Sequence, residues 1–430
     1  MQTLKQLQKG ELFGVSKLKL SENLAHFPEE IFDLAETLEY LDLSGNSLSD
    51  LPENFGLLKK LKVFFCSDNN FKHLPEVLAD CPSLDIVGFK SNSIETIASG
   101  ALNTNLRWLI LTNNKIAELP ATIGNCTRMQ KLMLAGNRLT VLPKELQNCL
   151  NLGLLRISAN RLAEIPEWLL EMPKLSWLAF SGNPATTSTG TASLEFVEWK
   201  DLKLNQVLGQ GASGIIYHAE RTSGNGTKDV AVKIFKGEVT SDGLPQDEMN
   251  TCIAAGQHPG LVKIIGQLNG HPENKQGLVM ELIPASFYNL GGPPSLQSCT
   301  RDVFSEDTKL TLEQALKVAS TIAAVAAQLH ERKIMHGDLY AHNILVDQDC
   351  NTLFGDFGAA TFYTNPSFEK IEVNAFGYLL ADLLGLYKEE VQNPLLAKLS
   401  ELQLRCQQEL PSLRPTFKMI TSSLAEKLKK

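Results

Sequence analysis

The chain has 430 residues, 43% of them hydrophobic and 20% charged, and a formal net charge of −8. That length exceeds what one ordinary core organises, so two domains are expected, each with globular composition. The first 190 residues carry 18 basic and 20 acidic side chains and the remainder 22 and 28, so neither half has the clustered positive charge that nucleic acid or an anionic membrane requires.

The opening residues, MQTLKQLQKGELFG, contain no apolar stretch of signal-peptide length. The apolar stretch around Ile322 to Leu329 is far too short to span a bilayer. The expected location is therefore cytoplasmic, with no membrane partner. Eight cysteines without a CxxC pair signal neither a zinc site nor a disulfide framework.

Segments beginning at Leu38, Leu61, Leu84, Leu106, Met129, Leu152 and Leu175 repeat in steps of 22 or 23 residues, each as LxxLxLxxNxL and most continuing to xxLP. Their asparagines are Asn46, Asn69, Asn92, Asn114, Asn137, Asn160 and Asn183, with an imperfect earlier copy at Asn23. The pattern resembles that of leucine-rich repeats. The apolar positions are expected to fill each coil, and short strands between them to form a parallel sheet. The asparagine is expected to satisfy backbone groups where the chain turns away from the strand. Cys81, Cys126 and Cys149 share one repeat position and read as buried small hydrophobes. Leu4, Leu7 and Phe13 are expected to cover the open first coil.

The positions expected on the concave sheet face are mostly apolar. They are Tyr40, Val63, Ile86, Trp108, Lys131, Leu154 and Trp177, joined by Phe65, Ile110 and Met133. Two readings stand: packing within the chain, or a groove for a protein client or regulator. The repeat ends after Asn183, and small polar residues follow. The domain organisation expected is a repeat solenoid over 1–185, a linker over 186–198 and a second domain over 199–430.

In the second domain, LGQGASGIIYHAE places Gly209, Gly211 and Gly214 in G-x-G-x-x-G, followed by a β-rich stretch rather than the helix of a dinucleotide-binding fold. DVAVKIF follows, with Lys233 inside an apolar strand. HGDLYAHNIL then supplies Asp338 and Asn343, and GDFG supplies Asp356. This order and spacing resemble those of a eukaryotic-type protein kinase. The implied fold is an α/β leucine-rich-repeat solenoid plus an α+β bilobal kinase-like domain.

The resemblance implies ATP and Mg²⁺ as cofactors and assigns roles. Leu208, Gly209, Gly211 and Gly214 would close over the phosphates. Lys233 would contact them and pair with Glu248, for which Asp247 is the rival. Asp338 would take the proton of the acceptor hydroxyl, and Asn343 and Asp356 would hold Mg²⁺. Met280 would lie at the back of the adenine site, Glu281 and Ile283 would offer backbone groups, and Ile216, Ala231 and Leu345 would sandwich the ring.

Four departures from the family stand out. Gly337 replaces the Arg that grips a phosphorylated activation loop. Tyr340 replaces a Lys two residues past Asp338, leaving His342 as the only candidate loop cation. The span from Asp356 to Glu372 is short and lacks an APE motif. Glu372 stands where most members carry Asp, and the late Arg414 has Glu369 as its candidate substitute partner. The expected activity is that of a protein serine/threonine kinase. A small-molecule kinase, on the likeness of HGDLYAHNIL to small-molecule kinase loops, and a nucleotide-binding pseudokinase scaffold remain as alternatives. The stretch from Ser286 to Asp307 reads as either a disordered loop or a substrate-side lid.

Overall fold

A repeat of about 23 residues can bury its leucines only against its neighbours. The computed structural model describes residues 2–186, 194–211, 213–224, 226–237, 239–388 and 393–428. The chain divides into two units, Met1–Lys174 with Asn183–Ala185, and Leu175–Gly182 with Thr186–Lys430.

The first unit opens with helix α1 (Leu4–Gln8), capped by Thr3 and Gln6. Leu7 is buried beneath it, but Phe13, expected to share the capping role, is 80% exposed in the turn beyond the helix. Seven three-residue strands then pair in parallel: β1 (Lys17–Lys19), β2 (Tyr40–Asp42), β3 (Val63–Phe65), β4 (Ile86–Gly88), β5 (Trp108–Ile110), β6 (Lys131–Met133) and β7 (Leu154–Arg156). Equivalent repeat positions sit in register, as in Val63 opposite Ile86 and Ile86 opposite Trp108. Across each coil from the strand, 3₁₀ turns follow Pro28, Pro52, Pro75, Pro120 and Pro143, whose fixed φ starts the turn. Helix α2 (Glu167–Leu170) follows Pro166 in the same way.

The asparagine column performs its expected work. Asn137 donates to the carbonyls of Leu111 and Leu134, both at 2.9 Å, and accepts from the amide of Ile116 at 3.0 Å. Asn114 and Asn160 repeat this one coil earlier and one coil later. Cys81, Cys126 and Cys149 are fully buried, and burial pushes their thiols up to about 12, 11 and 12 respectively, so they act as packing groups. Inner phenylalanines chain through the core, with Phe55–Phe64 at 5.1 Å, Phe64–Phe89 at 5.6 Å and Phe71–Phe89 at 5.0 Å between ring centres.

The second unit begins with β8 (Trp177–Ala179). This stretch was expected within the repeat region, yet its Trp177 and Phe180 rings stack on Tyr340 and Phe368. Residues 187–193 of the expected linker lie outside the described residues. The rest of that interval contains β9 (Phe196–Glu198), because Val197 is buried with Val232, Leu268 and Val279. The main sheet runs β10 (Leu202–Gln210), β11 (Gly214–Ser223), β12 (Gly226–Phe235), β14 (Gly277–Glu281), β13 (Ile264–Asn269), β9, with only β9 parallel to its neighbour. Helix α3 (Pro245–Ala255) packs Met249 and Ile253 against Phe235 and Leu278.

Beyond it, β15 (Tyr288–Asn289), β17 (Ile344–Val346) and β18 (Thr352–Phe354) form a small sheet, and β16 (Ile334–Met335) pairs with β19 (Thr361–Phe362). These lie among helices α4 (Leu312–Glu331), α5 (Phe368–Gly385), α6 (Pro394–Cys406) and α7 (Phe417–Leu428). Among the described residues no helix is long and apolar enough to cross a membrane.

Replacing Asn137 by Ala leaves the Ile116 amide without its acceptor in a dry coil and removes one of the two donors at the carbonyls of Leu111 and Leu134. The expected loss is at least about 2 kcal/mol, read as a lowered urea midpoint.

Candidate active site

The hairpin of β10 and β11 carries the three glycines. A Cβ on Gly209 or Gly211 would meet nothing within 4 Å, so packing does not demand glycine there, and the open space above the turn admits a ligand. Gly214 is different: its Cβ would lie 2.6 Å from the carbonyl oxygen of Ile234 on β12. Strand alternation sets the next residue. Val230, Val232 and Ile234 point into the sheet's core, which turns Ala231 and Lys233 to the opposite face. There Lys233 meets Glu248 of α3, whose side chain is 2% exposed; Asp247, the rival in the sequence, is not the partner. Burial works against the ammonium charge, but the carboxylates of Glu248 and Asp356 overcome it and hold the Lys233 pKa above its ordinary value.

These groups face a cavity of about 820 Å³. Its walls include Leu208, Gly209, Gly211, Gly214, Ile216, Ala231, Lys233, Glu248, Met280, Glu281, Ile283, Leu345 and Asp356, which unites the nucleotide-site residues singled out in the sequence. The amide of Glu281 donates to the carbonyl of Lys263 at 2.9 Å, so this amide is already engaged. Asp338 and Asn343 are not wall residues. They stand in the loop beside the cavity, where Asn343 donates to the Asp338 carboxylate at 2.8 Å and to its carbonyl at 2.9 Å. The amide of Gly355 donates to the carbonyl of Asn343 at 3.1 Å, tying that loop to the segment bearing Asp356. Asp356 has φ +54°, a conformation that costs a non-glycine residue energy and concentrates at functional sites.

Residues 202–375 match the protein tyrosine and serine/threonine kinase family, and residues 37–58 and 105–126 match the leucine-rich repeat. The chain carries leucine-rich repeats and a protein kinase domain. The kinase domain is 30% identical over 195 residues to L-type lectin-domain containing receptor kinase V.7 of Arabidopsis thaliana, a match covering 43% of this chain and 27% of that protein. Cysteine-rich receptor-like protein kinase 36 of the same plant is 30% identical over 192 residues, 42% of this chain and 27% of the relative. A Dictyostelium discoideum protein named "Probable serine/threonine-protein kinase gdt4" is 28% identical over 167 residues, 38% of this chain and 9% of the relative. The matched stretch thus spans less than a third of the length of each of these relatives.

The departures from the family have physical causes in the kinase domain. Gly337 has φ +74°, and a Cβ there would lie 2.5 Å from the carbonyl oxygen of Leu178 and 2.8 Å from that of Ala359, so no larger residue fits. Glu372 is almost wholly buried and accepts from the amides of His336 at 3.2 Å and Gly337 at 2.8 Å, with His330 Nε2 at 2.7 Å. The short segment after Asp356 is pinned by the β16–β19 pairing, which buries Thr361 and Tyr363 and leaves Thr364 and Ser367 as its exposed hydroxyls. Arg414 donates to the carbonyls of Gln408 and Lys370, both at 2.9 Å, while Glu369 accepts from the amide of Phe417 at 2.7 Å.

Sequence reading missed Asp302. Its carboxylate accepts from the His342 amide at 3.1 Å and meets His342 Nδ1 at 2.7 Å, while Asn289 donates to the His342 carbonyl at 2.6 Å. Burial opposes charge on His342, but Asp302 raises its pKa above the ordinary value. The stretch from Ser286 to Asp307 is therefore ordered against the loop that bears Asp338 and His342. A signal existed: Arg301-Asp302 breaks a run of nineteen uncharged residues, 282–300.

Burial disfavours the charge of Glu372, but hydrogen bonding to His330, the nearby histidine charges and the Gly337 amide hold its pKa below the ordinary carboxylate range. A depressed folded pKa contributes stability that is present above the unfolded value of about 4.3 and lost as pH falls through the folded one. Glu372→Gln must set an amide NH₂ against a backbone N–H and should cost about 1–3 kcal/mol at pH 7. Below pH 4 its stability should fall less steeply than that of the wild type, as acid titrations followed by circular dichroism would show.

Proposed function

We propose that the chain transfers the γ-phosphoryl group of ATP to a serine or threonine hydroxyl of a protein client. The observation that carries this reading is the buried Lys233–Glu248 pair facing Asp356 in one cavity with the glycine hairpin. A structural ion pair has no need of an 820 Å³ opening beside it, whereas a phosphate-binding cation does. In this reading the adenine lies between Ile216, Ala231 and Leu345, against Met280, with the backbone of Glu281 and Ile283 at its edge. Lys233 holds the α- and β-phosphates, and Glu248 orients Lys233. Asp338, held by Asn343, accepts the proton of the attacking hydroxyl. The new bond joins that oxygen to the γ-phosphorus, the bond to the β-γ bridging oxygen breaks, and ADP leaves.

Among the described residues no group of three or more His, Cys, Asp or Glu is placed to hold a metal by protein ligands alone. The Asn343 amide oxygen and the Asp356 carboxylate are hard donors that suit Mg²⁺ completed by ATP oxygens. Bound there, Mg²⁺ would neutralise charge on the phosphates. Asp338→Asn and Lys233→Met should each lower phosphoryl transfer about 10²- to 10⁴-fold. Label transfer from ATP to protein in a cell extract measures this. Undiminished transfer, or label only on small molecules, overturns the assignment.

We further propose that the repeats form a solenoid whose concave face presents the client. The aromatic surface of Tyr40, Phe65 and Trp108 supports this. Tyr40 and Phe65 pack edge to face at 5.9 Å, and Lys17 and Lys131 each lie 4.3 Å over Tyr40 and Trp108. Trp177, grouped with this column in the sequence, is 2% exposed and stacked within the kinase-bearing unit, which removes it from the groove. Aromatic anchors at interfaces contribute about 2 kcal/mol or more. Tyr40→Ala with Trp108→Ala should therefore weaken client capture at least about thirtyfold while ATP binding is kept, as titration calorimetry would record.

A further inference from the structure

Trp177 belongs to the same unit as the catalytic loop, and its contacts there are specific. The indole Nε1–H donates to the carbonyl of Leu339 at 3.0 Å, one residue past Asp338. The ring stacks on Tyr340 with centres 4.3 Å apart and planes within 6°, and also on Tyr378 of α5 at 5.4 Å and 26°. Arg301 caps the column, 4.6 Å over the Tyr378 ring and ion-paired with Asp382. Next along β8, the Leu178 carbonyl occupies the space that any side chain at position 337 would need. Ser176 accepts from Asn374 of α5 at 2.9 Å, which fixes the start of the strand to the same helix.

From this we infer that Trp177 is a positioning residue for phosphoryl transfer: its indole locks the backbone on the C-terminal side of Asp338. The inference rests on the kinase reading given above. Asp338 follows a glycine with positive φ, a neighbour that by itself leaves the backbone loose. Four anchors remove that freedom. On the N-terminal side Glu372 takes the amides of His336 and Gly337; on the C-terminal side Trp177 takes the Leu339 carbonyl and the Tyr340 ring. The Lys usual at position 340 in this family could not stack in this way, so the tyrosine and the tryptophan form one device. With β8 laid against the loop and α5, the loop is braced by residues from another part of the chain.

The test uses the full-length protein with Trp177→Leu and Trp177→Phe. Misplacement of a reacting group by about 1 Å can cost about 10²-fold. Trp177→Leu should lower kcat tenfold or more, leave the KM and Kd for ATP within about twofold, and raise amide exchange across residues 338–342 while exchange in β10–β12 is unchanged. Trp177→Phe keeps the stack without the N–H and should recover much of kcat and of the protection. Wild-type kcat and protection in Trp177→Leu would overturn the inference, as would a loss shared equally by ATP affinity. If the wild type itself transfers no phosphate, the kinase reading fails, and unchanged exchange in both variants would separately refute the bracing.

Discussion

A backbone group that is buried outside a helix or ladder must find a side-chain partner, and this requirement governs both halves of the chain. In the repeats the chain leaves each strand at a point where water cannot follow. One asparagine per coil there supplies an acceptor to an amide of the preceding coil and donors to two carbonyls. In the kinase domain the loop bearing Asp338 meets the same demand with unlike residues. Glu372 serves the amides of His336 and Gly337, Trp177 the carbonyl of Leu339, and Asp302 and Asn289 the two polar groups of His342's backbone. A loop satisfied at nearly every residue is a rigid support for the Asp338 carboxylate it carries.

Charge follows a related logic. Lys233 is buried, and a buried ammonium is stable only with compensation. Glu248 supplies it directly and Asp356 at longer range, so the cation stays charged at the wall of the cavity. Asp356 is held in a left-handed conformation with its own carboxylate accepting from Gly358 at 3.2 Å. The strain is local, and the ordered sheet and loop on either side sustain it.

The departures from the kinase family form a consistent set. An Arg at position 337 would have nowhere to go, because carbonyls of Leu178 and Ala359 close in on the site. The short segment after Asp356 is paired to β16 along its first part, with Tyr363 bonded to His330 at 2.8 Å. A loop held by packing has less use for a phosphate-gripping arginine than one ordered by phosphorylation. The polar stretch after β14 is likewise fastened, through Arg301 and Asp302.

What the sequence by itself determined were features written in local order. The period of 22 or 23 residues dictated parallel strands and an asparagine column, because each depends on spacing alone. The glycine spacing and the order of the motifs singled out Lys233 and Asp356, which the fold brings to one cavity, and Asp338 with Asn343, which it sets in one loop beside it. Glu248 could be singled out from Asp247 only weakly; helix orientation chose between them. Tertiary structure decided the rest. Trp177 sits at a repeat position like that of Trp108, yet one stacks on Tyr340 beside Asp338 and the other lies on the first unit's sheet. Position in a repeat sets the direction of a side chain but not what meets it. Gly337 and Tyr340 looked like losses of function when read as isolated letters. Their reason lies in Leu178 and Trp177, about 160 residues earlier in the chain, a separation over which no periodicity carries information.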